Sequence, residues 1–157
     1  MKKIVSLSIG FFILIVALVF GLYIATRPNA FIPNSIKSQL HFAVFVPMTD
    51  NNGISLVKKS VTYITSNEIL KYDLVINNVK VTITEQQYPG ILIYDHLVGA
   101  MNQYAELNSP NGTVALTQPS KNQIGVLTTG STLIFANAIN NLTNEQWQTI
   151  FNAFKVQ

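Results

Sequence analysis

The sequence predicts an α+β fold, in which an N-terminal transmembrane helix precedes a curved antiparallel sheet of about six or seven strands with helices packed on one face. Three observations predict it. The chain starts with a long uncharged apolar run, its middle alternates β-branched segments with turn residues, and it ends in an amphipathic helical pattern. None of the 157 residues is a cysteine, which excludes a disulfide scaffold and a thiolate metal site.

Residues 4–25 are predicted to form a membrane anchor. Fifteen of these 22 residues are Leu, Ile, Val or Phe, and none is charged. A helix of this length rises about 33 Å, which spans a hydrocarbon core of about 30 Å. A cleaved signal peptide is the alternative, but its apolar core is usually about 7–15 residues long. The expected partner of this segment is therefore the lipid bilayer.

The charges at the membrane edges predict the orientation of the chain. Lys2 and Lys3 precede the helix, so residues 1–3 are expected to be cytoplasmic, at the inner face of the cell membrane. Residues 26–33 are interpreted as a juxtamembrane linker and residues 34–157 as an extracytoplasmic domain. From Pro28 onward the chain has seven lysines and seven acidic residues. This balance predicts no nucleic-acid partner.

The first half of the domain is predicted to hold one short helix and several strands. The helix is expected over residues 34–40, with Asn34 as its N-cap. Strands are expected over 41–46, 54–65 (as one strand or two), 69–76 and 79–86. The last two strands flank Asn77-Asn78, a pair of residues that favours a two-residue hairpin turn.

The second half is predicted to begin with a helix over 91–102 and to end with another helix. Two hairpins are expected between these helices, 104–108 with 113–118 and 123–128 with 132–136. Thr143 and Gln146 have the spacing of a capping box at the start of the last helix, and Leu142 is placed to staple to Trp147. The apolar stripe of this helix consists of Trp147, Ile150, Phe151 and Phe154.

The titratable residues do not form a recognisable catalytic motif. The histidines are His41 and His96, and His96 follows Asp95 at a spacing that does not let the two side chains face each other on a helix. Glu85 and Glu106 could meet across a sheet, but nothing in the sequence requires it. No catalytic, cofactor-binding or metal-binding residue is therefore predicted, and no cofactor.

Two further features each have two interpretations. Asn111-Gly112-Thr113 and Asn141-Leu142-Thr143 are glycosylation sequons, but a turn and a helix cap use the same residues. Aromatic side chains are spread over the whole domain. They are typical of an ordinary core, although a half-barrel sheet could also leave a lipophilic groove beneath its helices.

A resemblance rests on four segments in chain order. They are Phe42-x-Val44-x-Val46-Pro47, Val79-x-Val81-x-Ile83-Thr84-Glu85-Gln86, Gly125 to Gly130 with Thr132-Leu133-Ile134, and Leu142-Thr143 before the last helix. Over residues 32–157 the chain resembles small membrane-anchored extracytoplasmic domains of unknown function, which are similar in outline to lipoprotein-carrier half-barrels. The resemblance implies a fold of that kind and carries over no site residue.

These observations predict a single-pass, membrane-anchored extracytoplasmic binding or interaction module without enzymatic activity. Its expected partner is an envelope protein or an apolar ligand. One alternative is an envelope hydrolase that uses His96 or His41. The other is a structural subunit of a membrane complex, which would expose an apolar patch larger than a few hundred Å².

Overall fold

Strands dominate the part of the chain that the computed structural model describes, which comprises residues 31–49, 53–89, 103–117 and 122–157. Its elements in chain order are α1 (Asn34–Lys37), β1 (Phe45–Pro47), β2 (Ile54–Ile64), β3 (Ile69–Ile76), β4 (Val79–Gln87), β5 (Gln103–Ser109), β6 (Gly112–Thr117), β7 (Gln123–Thr129), β8 (Thr132–Ala138), α2 (Asn144–Ala153) and β9 (Phe154–Val156). The fold is thus mostly β, with few helices and a C-terminal one, as the sequence predicted in outline.

Seven strands form one antiparallel sheet in the order β2-β3-β4-β8-β7-β6-β5. The sheet consists of two meanders, β2 to β4 and β5 to β8, which meet where β4 pairs with β8. This junction places Glu85 opposite Ile134 and Ile83 opposite Ala136. A second, two-stranded sheet pairs β1 with β9 and places Phe45 opposite Val156.

The predicted turns join neighbouring strands of the large sheet. Asn77 and Asn78 connect β3 to β4 with φ values of 47° and 64°, the left-handed backbone that such a tight hairpin needs. Gly130, with a φ of 55°, serves the same purpose between β7 and β8. Residues 110–111 connect β5 to β6. All three predicted hairpins are confirmed.

The expected start of the last helix is also confirmed. The Thr143 hydroxyl accepts a hydrogen bond from the Gln146 amide, and the Gln146 side-chain oxygen accepts one from the Thr143 amide at 2.8 Å. These reciprocal bonds form the capping box. Leu142 and Trp147 are both buried in the core. Phe154 departs from the prediction, because it ends the helix and starts β9.

One face of the large sheet packs against α2 and the segment around β1. The Trp147 and Phe151 rings of α2 stack at 5.9 Å, and the Phe151 ring lies 5.6 Å from Phe154. Gly125 faces this cluster, and a Cβ there would lie 2.9 Å from the Phe151 ring. The close approach of ring and strand therefore depends on the absence of a side chain at Gly125.

The opposite face of the sheet is buried as well. Ala115, Val126 and Leu133 alternate with the residues that face α2, and each is almost fully enclosed. The register places Ala115 opposite Val126. This part of the sheet is therefore buried on both faces.

The N-terminal boundary of the domain differs from the prediction. Phe31 and Ile32 were expected in the 26–33 linker, but both are buried in the core, and the Phe31 ring lies 5.3 Å from the Tyr72 ring. The compact unit starts at Phe31. Burial of these two apolar side chains extends the domain by three residues relative to the predicted start at 34.

Several local boundaries differ too. The helix predicted over 34–40 ends at Lys37, and the strand predicted over 41–46 lies at Phe45–Pro47. The segment predicted over 54–65 is a single strand, Ile54–Ile64, with a register shift between Val57 and Thr62. In that bulge the Ser60 hydroxyl donates to the Val57 carbonyl and accepts from the Asp73 amide. The Ser60 side chain thus provides hydrogen-bond partners for two backbone groups that are unpaired where the ladder is interrupted.

Two predicted elements lie outside the described residues, the anchor over 4–25 and the helix over 91–102. Among the described residues, no helix is both long and apolar enough to cross a membrane.

Candidate functional site

Glu85 is the one carboxylate that the described part of the chain encloses completely, with 0% of the residue exposed. It lies on β4 and faces the core. Its Oε2 accepts a hydrogen bond from the Phe45 amide at 2.9 Å, and its Oε1 lies 3.0 Å from the Tyr72 hydroxyl. The Tyr72 hydroxyl in turn lies 2.6 Å from the Phe45 carbonyl oxygen. Three polar groups therefore form a closed ring between the sheet and β1.

Counting protons assigns the protonation state of this ring. The Phe45 carbonyl can only accept a hydrogen bond, so the single Tyr72 hydroxyl proton is donated to it, over the shorter distance. The contact between Tyr72 and Glu85 then needs a proton on Glu85. A neutral carboxyl group donates to the Tyr72 oxygen and accepts from the Phe45 amide, so every group in the ring has a partner of the right kind.

Burial also favours the protonated form of the Glu85 carboxyl group. It raises the pKa of Glu85 to about 8, although the hydrogen bond that Glu85 accepts from the Phe45 amide partly offsets the effect. Burial also raises the pKa of Tyr72 well above its usual value. Neither group reaches solvent, and their hydrogen bonds to Phe45 stabilise β1 against the sheet.

Two more polar side chains of the core face bond to backbone that crosses it. The Thr132 hydroxyl donates to the Ala43 carbonyl at 2.7 Å, and the Gln123 side-chain oxygen accepts from the Leu142 amide at 3.1 Å. Both side chains are buried. Buried polar side chains thus fix the segment before β1 and the entry to α2 to the sheet, because neither segment is in the main ladder.

A polar cleft lies at the end of the β3–β4 pairing. This polar cleft is formed by residues 65–68 and by Gln86, Gln87 and Pro89, has a volume of about 350 Å³ and is open to solvent. β4 continues past its last pair with β3, Glu85 with Leu70, whereas the chain before β3 turns away. Glu68 lies in that turn with a φ of 51°. The difference in strand length leaves the space of the cleft.

The lining of the polar cleft is rich in hydroxyl and amide groups. Thr65 and Ser66 contribute hydroxyls, Asn67, Gln86 and Gln87 contribute amides, and Glu68 contributes the single carboxylate. No lysine or arginine is among these residues. Hydroxyl and amide side chains both donate and accept hydrogen bonds, so the cleft is suited to a ligand that does the same.

His41 is exposed at the surface, beside the polar cleft. Its Nδ1 lies 3.0 Å from Oε1 of Glu68, and the two side chains are 72% and 41% exposed. Thus His41 contacts a residue of the polar cleft without being part of its lining. Asp95 and His96 lie outside the described residues.

Other residues singled out by the sequence do not meet. Glu85 lies on β4 and Glu106 on β5, with β8, β7 and β6 between them. Asn111 of the first sequon donates through its side-chain amide to the Phe154 carbonyl at 3.1 Å, after the C-terminal end of α2. Its amide therefore serves the fold, which favours the turn interpretation of that sequon.

The described residues contain no group of three or more His, Cys, Asp or Glu side chains placed to hold a metal ion. The sequence analysis missed both the Glu85 ring and the polar cleft. Glu85 carried one available signal, since it continues the apolar alternation Val79, Val81 and Ile83 and therefore shares their buried face. No local sequence pattern predicts the cleft, because the cleft depends on β4 extending beyond its last pair with β3.

Comparisons of the chain with protein-family models, with curated proteins and with solved structures find no match.

Proposed function

We propose that the chain is a single-pass, membrane-anchored extracytoplasmic binding module that takes a polar ligand in the polar cleft. Residues 4–25 would tether it to the cell membrane, with residues 1–3 inside and the domain outside. The observation that carries the binding proposal is the cleft itself, a solvent-open depression of about 350 Å³ whose lining residues mostly have hydroxyl or amide side chains. Its volume is within the range of about 300–1,000 Å³ that ligand sites occupy.

The packing of the domain supports a polar ligand over the apolar one expected from the sequence. Trp147, Phe151 and Phe154 are fully buried and fill the space between α2 and the sheet. The chain's own side chains thus occupy the place where a lipophilic groove was expected. The same packing supports the finer expectation of a sheet with a helix on one face, as in the lipoprotein-carrier half-barrels that the chain resembles.

The hydrolase alternative receives less support from the geometry. His41 and Glu68 are within hydrogen-bond distance, but both are in contact with water. Catalytic acid–base groups usually act in a site from which water is excluded. The pair therefore favours ligand contact at the rim of the cleft over hydrolysis. An envelope protein partner, and a structural role in a membrane complex, remain predictions of the sequence.

Cysteine labelling tests the topology directly, because the natural chain has no cysteine. We expect Asn152→Cys to react with a membrane-impermeant maleimide in intact cells, and Lys3→Cys to react only after permeabilisation. Sodium carbonate should leave both variants in the membrane fraction. Labelling of Lys3→Cys in intact cells, or release by carbonate, would contradict the proposed anchor and orientation.

The same chemistry tests ligand binding in the native envelope. Asn67→Cys places a thiol in the polar cleft, and Asn152→Cys is a matched control on the exposed side of α2. Each labelling rate is measured in intact cells and with the purified full-length chain in phospholipid nanodiscs. A ligand should slow the reaction of Asn67→Cys in cells and leave Asn152→Cys unchanged. Equal rate ratios for the two variants would remove the binding proposal.

A further inference from the structure

We infer that the ligand of the polar cleft is a neutral saccharide, an inference that rests on the proposed function and names its substrate class. The hydrogen-bonding groups of the lining, the charge of the cleft and its size all favour such a ligand.

The lining has the donors and acceptors that sugar hydroxyls need. Each hydroxyl of a sugar both donates and accepts, and so do the side chains of Ser66, Asn67 and Gln87. The Glu68 carboxylate can accept about four hydrogen bonds, so its contact with His41 leaves capacity for ligand hydroxyls. Two neighbouring hydroxyl groups of a sugar can each donate a hydrogen bond to the same carboxylate.

The charge of the cleft argues against ionic ligands. Glu68 repels phosphates and carboxylates, and the lining residues that the structure describes include no lysine or arginine to bind them. One carboxylate is also too few for a bound divalent cation, which takes several oxygen ligands. An apolar ligand would remove the hydroxyls and amides from water without replacing their hydrogen bonds. A neutral polar molecule satisfies these conditions together.

The size and shape of the cleft indicate a short segment of saccharide. A volume of about 350 Å³ lies near the lower end of the range for ligand sites. The cleft opens where β4 extends beyond β3, with Gln86 paired to Leu133 and Gln87 paired to Thr132 on its other side. Pairing with β8 holds this end of β4 in place, so the exposed Gln87 is presented from a fixed strand, whereas Gln86 is only 3% exposed.

Titration of the full-length chain in phosphatidylcholine nanodiscs tests the inference, with no sugar-headgroup detergent present. The probes are cellotetraose, which offers hydroxyls alone, chitotetraose, which adds acetamido groups, and a neutral tetrapeptide. We expect saturable binding of at least one tetrasaccharide by calorimetry, with an affinity that stays the same between 50 mM and 500 mM salt. Asn67→Ala and Gln87→Ala should each weaken it by about tenfold.

The control variant Asn152→Ala removes an exposed amide outside the cleft and should bind as the natural chain does. Lack of saturable binding by both sugars, binding of the tetrapeptide alone, or equal affinity in all variants would overturn the saccharide assignment. The labelling experiment separates this failure from that of the proposed function. Protection of Asn67→Cys in cells without sugar binding would leave a binding module whose ligand belongs to another class.

Discussion

Two glutamates at the same end of the β3–β4 hairpin contrast in every physical respect. Glu85 is enclosed and bonds to Phe45 and Tyr72, whereas Glu68 lies on the surface beside His41 in the lining of the polar cleft. The buried group stabilises the fold as a neutral acid, and the exposed group is available to a ligand. The comparison teaches that the surroundings of a carboxyl group, and not its identity, decide whether it serves stability or binding.

The largest expected effect is on the buried side of this comparison. At pH 5, Glu85→Ala should lower the free energy of unfolding by roughly 3–5 kcal/mol, because it leaves Phe45 and Tyr72 without their partner and opens a cavity. Glu85→Gln is the matched control, since an amide donates to Tyr72 and accepts from Phe45 as the neutral acid does. Urea unfolding of both variants measures the difference. A similar loss for both would contradict the protonated ring.

The next prediction concerns pH. The folded state holds the Glu85 proton with a pKa of about 8, above the ordinary value of 4.5, so it binds this proton more tightly than the unfolded state. The stabilisation is fully present below pH 4.5 and is lost as pH rises towards 8, by about 1.4 kcal/mol per pH unit.

Unfolding free energies at pH 5, 6, 7 and 8 measure this slope, and Glu85→Gln should lack it. Subtracting the two curves isolates Glu85 from the other titrating groups. At pH 8 the Gln variant should be more stable than the natural chain. Parallel curves for the two proteins would show that Glu85 does not bind its proton in the fold.

A smaller effect is expected at Tyr72. Tyr72→Phe should lower the free energy of unfolding by about 2 kcal/mol, because it removes the hydroxyl that bridges Glu85 and the Phe45 carbonyl. The substitution leaves the aromatic ring packed against Phe31. In a double-mutant cycle with Glu85→Ala, which removes the partner of the Tyr72 hydroxyl, the two changes should couple by about 1 kcal/mol. Additive losses would mean that the two side chains act separately.

The smallest effect is expected on the exposed side. His41→Ala should change the free energy of unfolding by less than about 0.5 kcal/mol, because an ion pair between solvent-exposed side chains contributes little. Thermal or urea unfolding at pH 6 and pH 8 tests this. A loss as large as that of Tyr72→Phe would erase the contrast between the two glutamates.

The sequence predicted much of the fold because its signals are local. The Asn77-Asn78 turn and the Thr143–Gln146 capping box depend on residues close together in the chain, and both are confirmed. β9 was missed for the opposite reason. Its partner is β1, at the other end of the described domain, so no local pattern predicts that the chain leaves α2 at Phe154 to form a strand.

The candidate site was much less predictable. Neither the Glu85 ring nor the polar cleft was foreseen, since each joins residues separated along the chain. Phe45 meets Glu85 only because β1 crosses the core face of the sheet. Similarly, residues 65–68 meet Gln86 only because β4 extends beyond its last pair with β3.

By itself, the sequence determined the hairpins, the last helix and the apolar faces that make this domain an antiparallel sheet with a covering layer. Turn chemistry, capping and alternation act over a few residues, so they can be read along the chain. Only the tertiary structure decided which carboxyl group is a neutral structural acid and which faces a cleft. Solvent access and hydrogen-bond partners decide that, and both arise when distant strands are brought together.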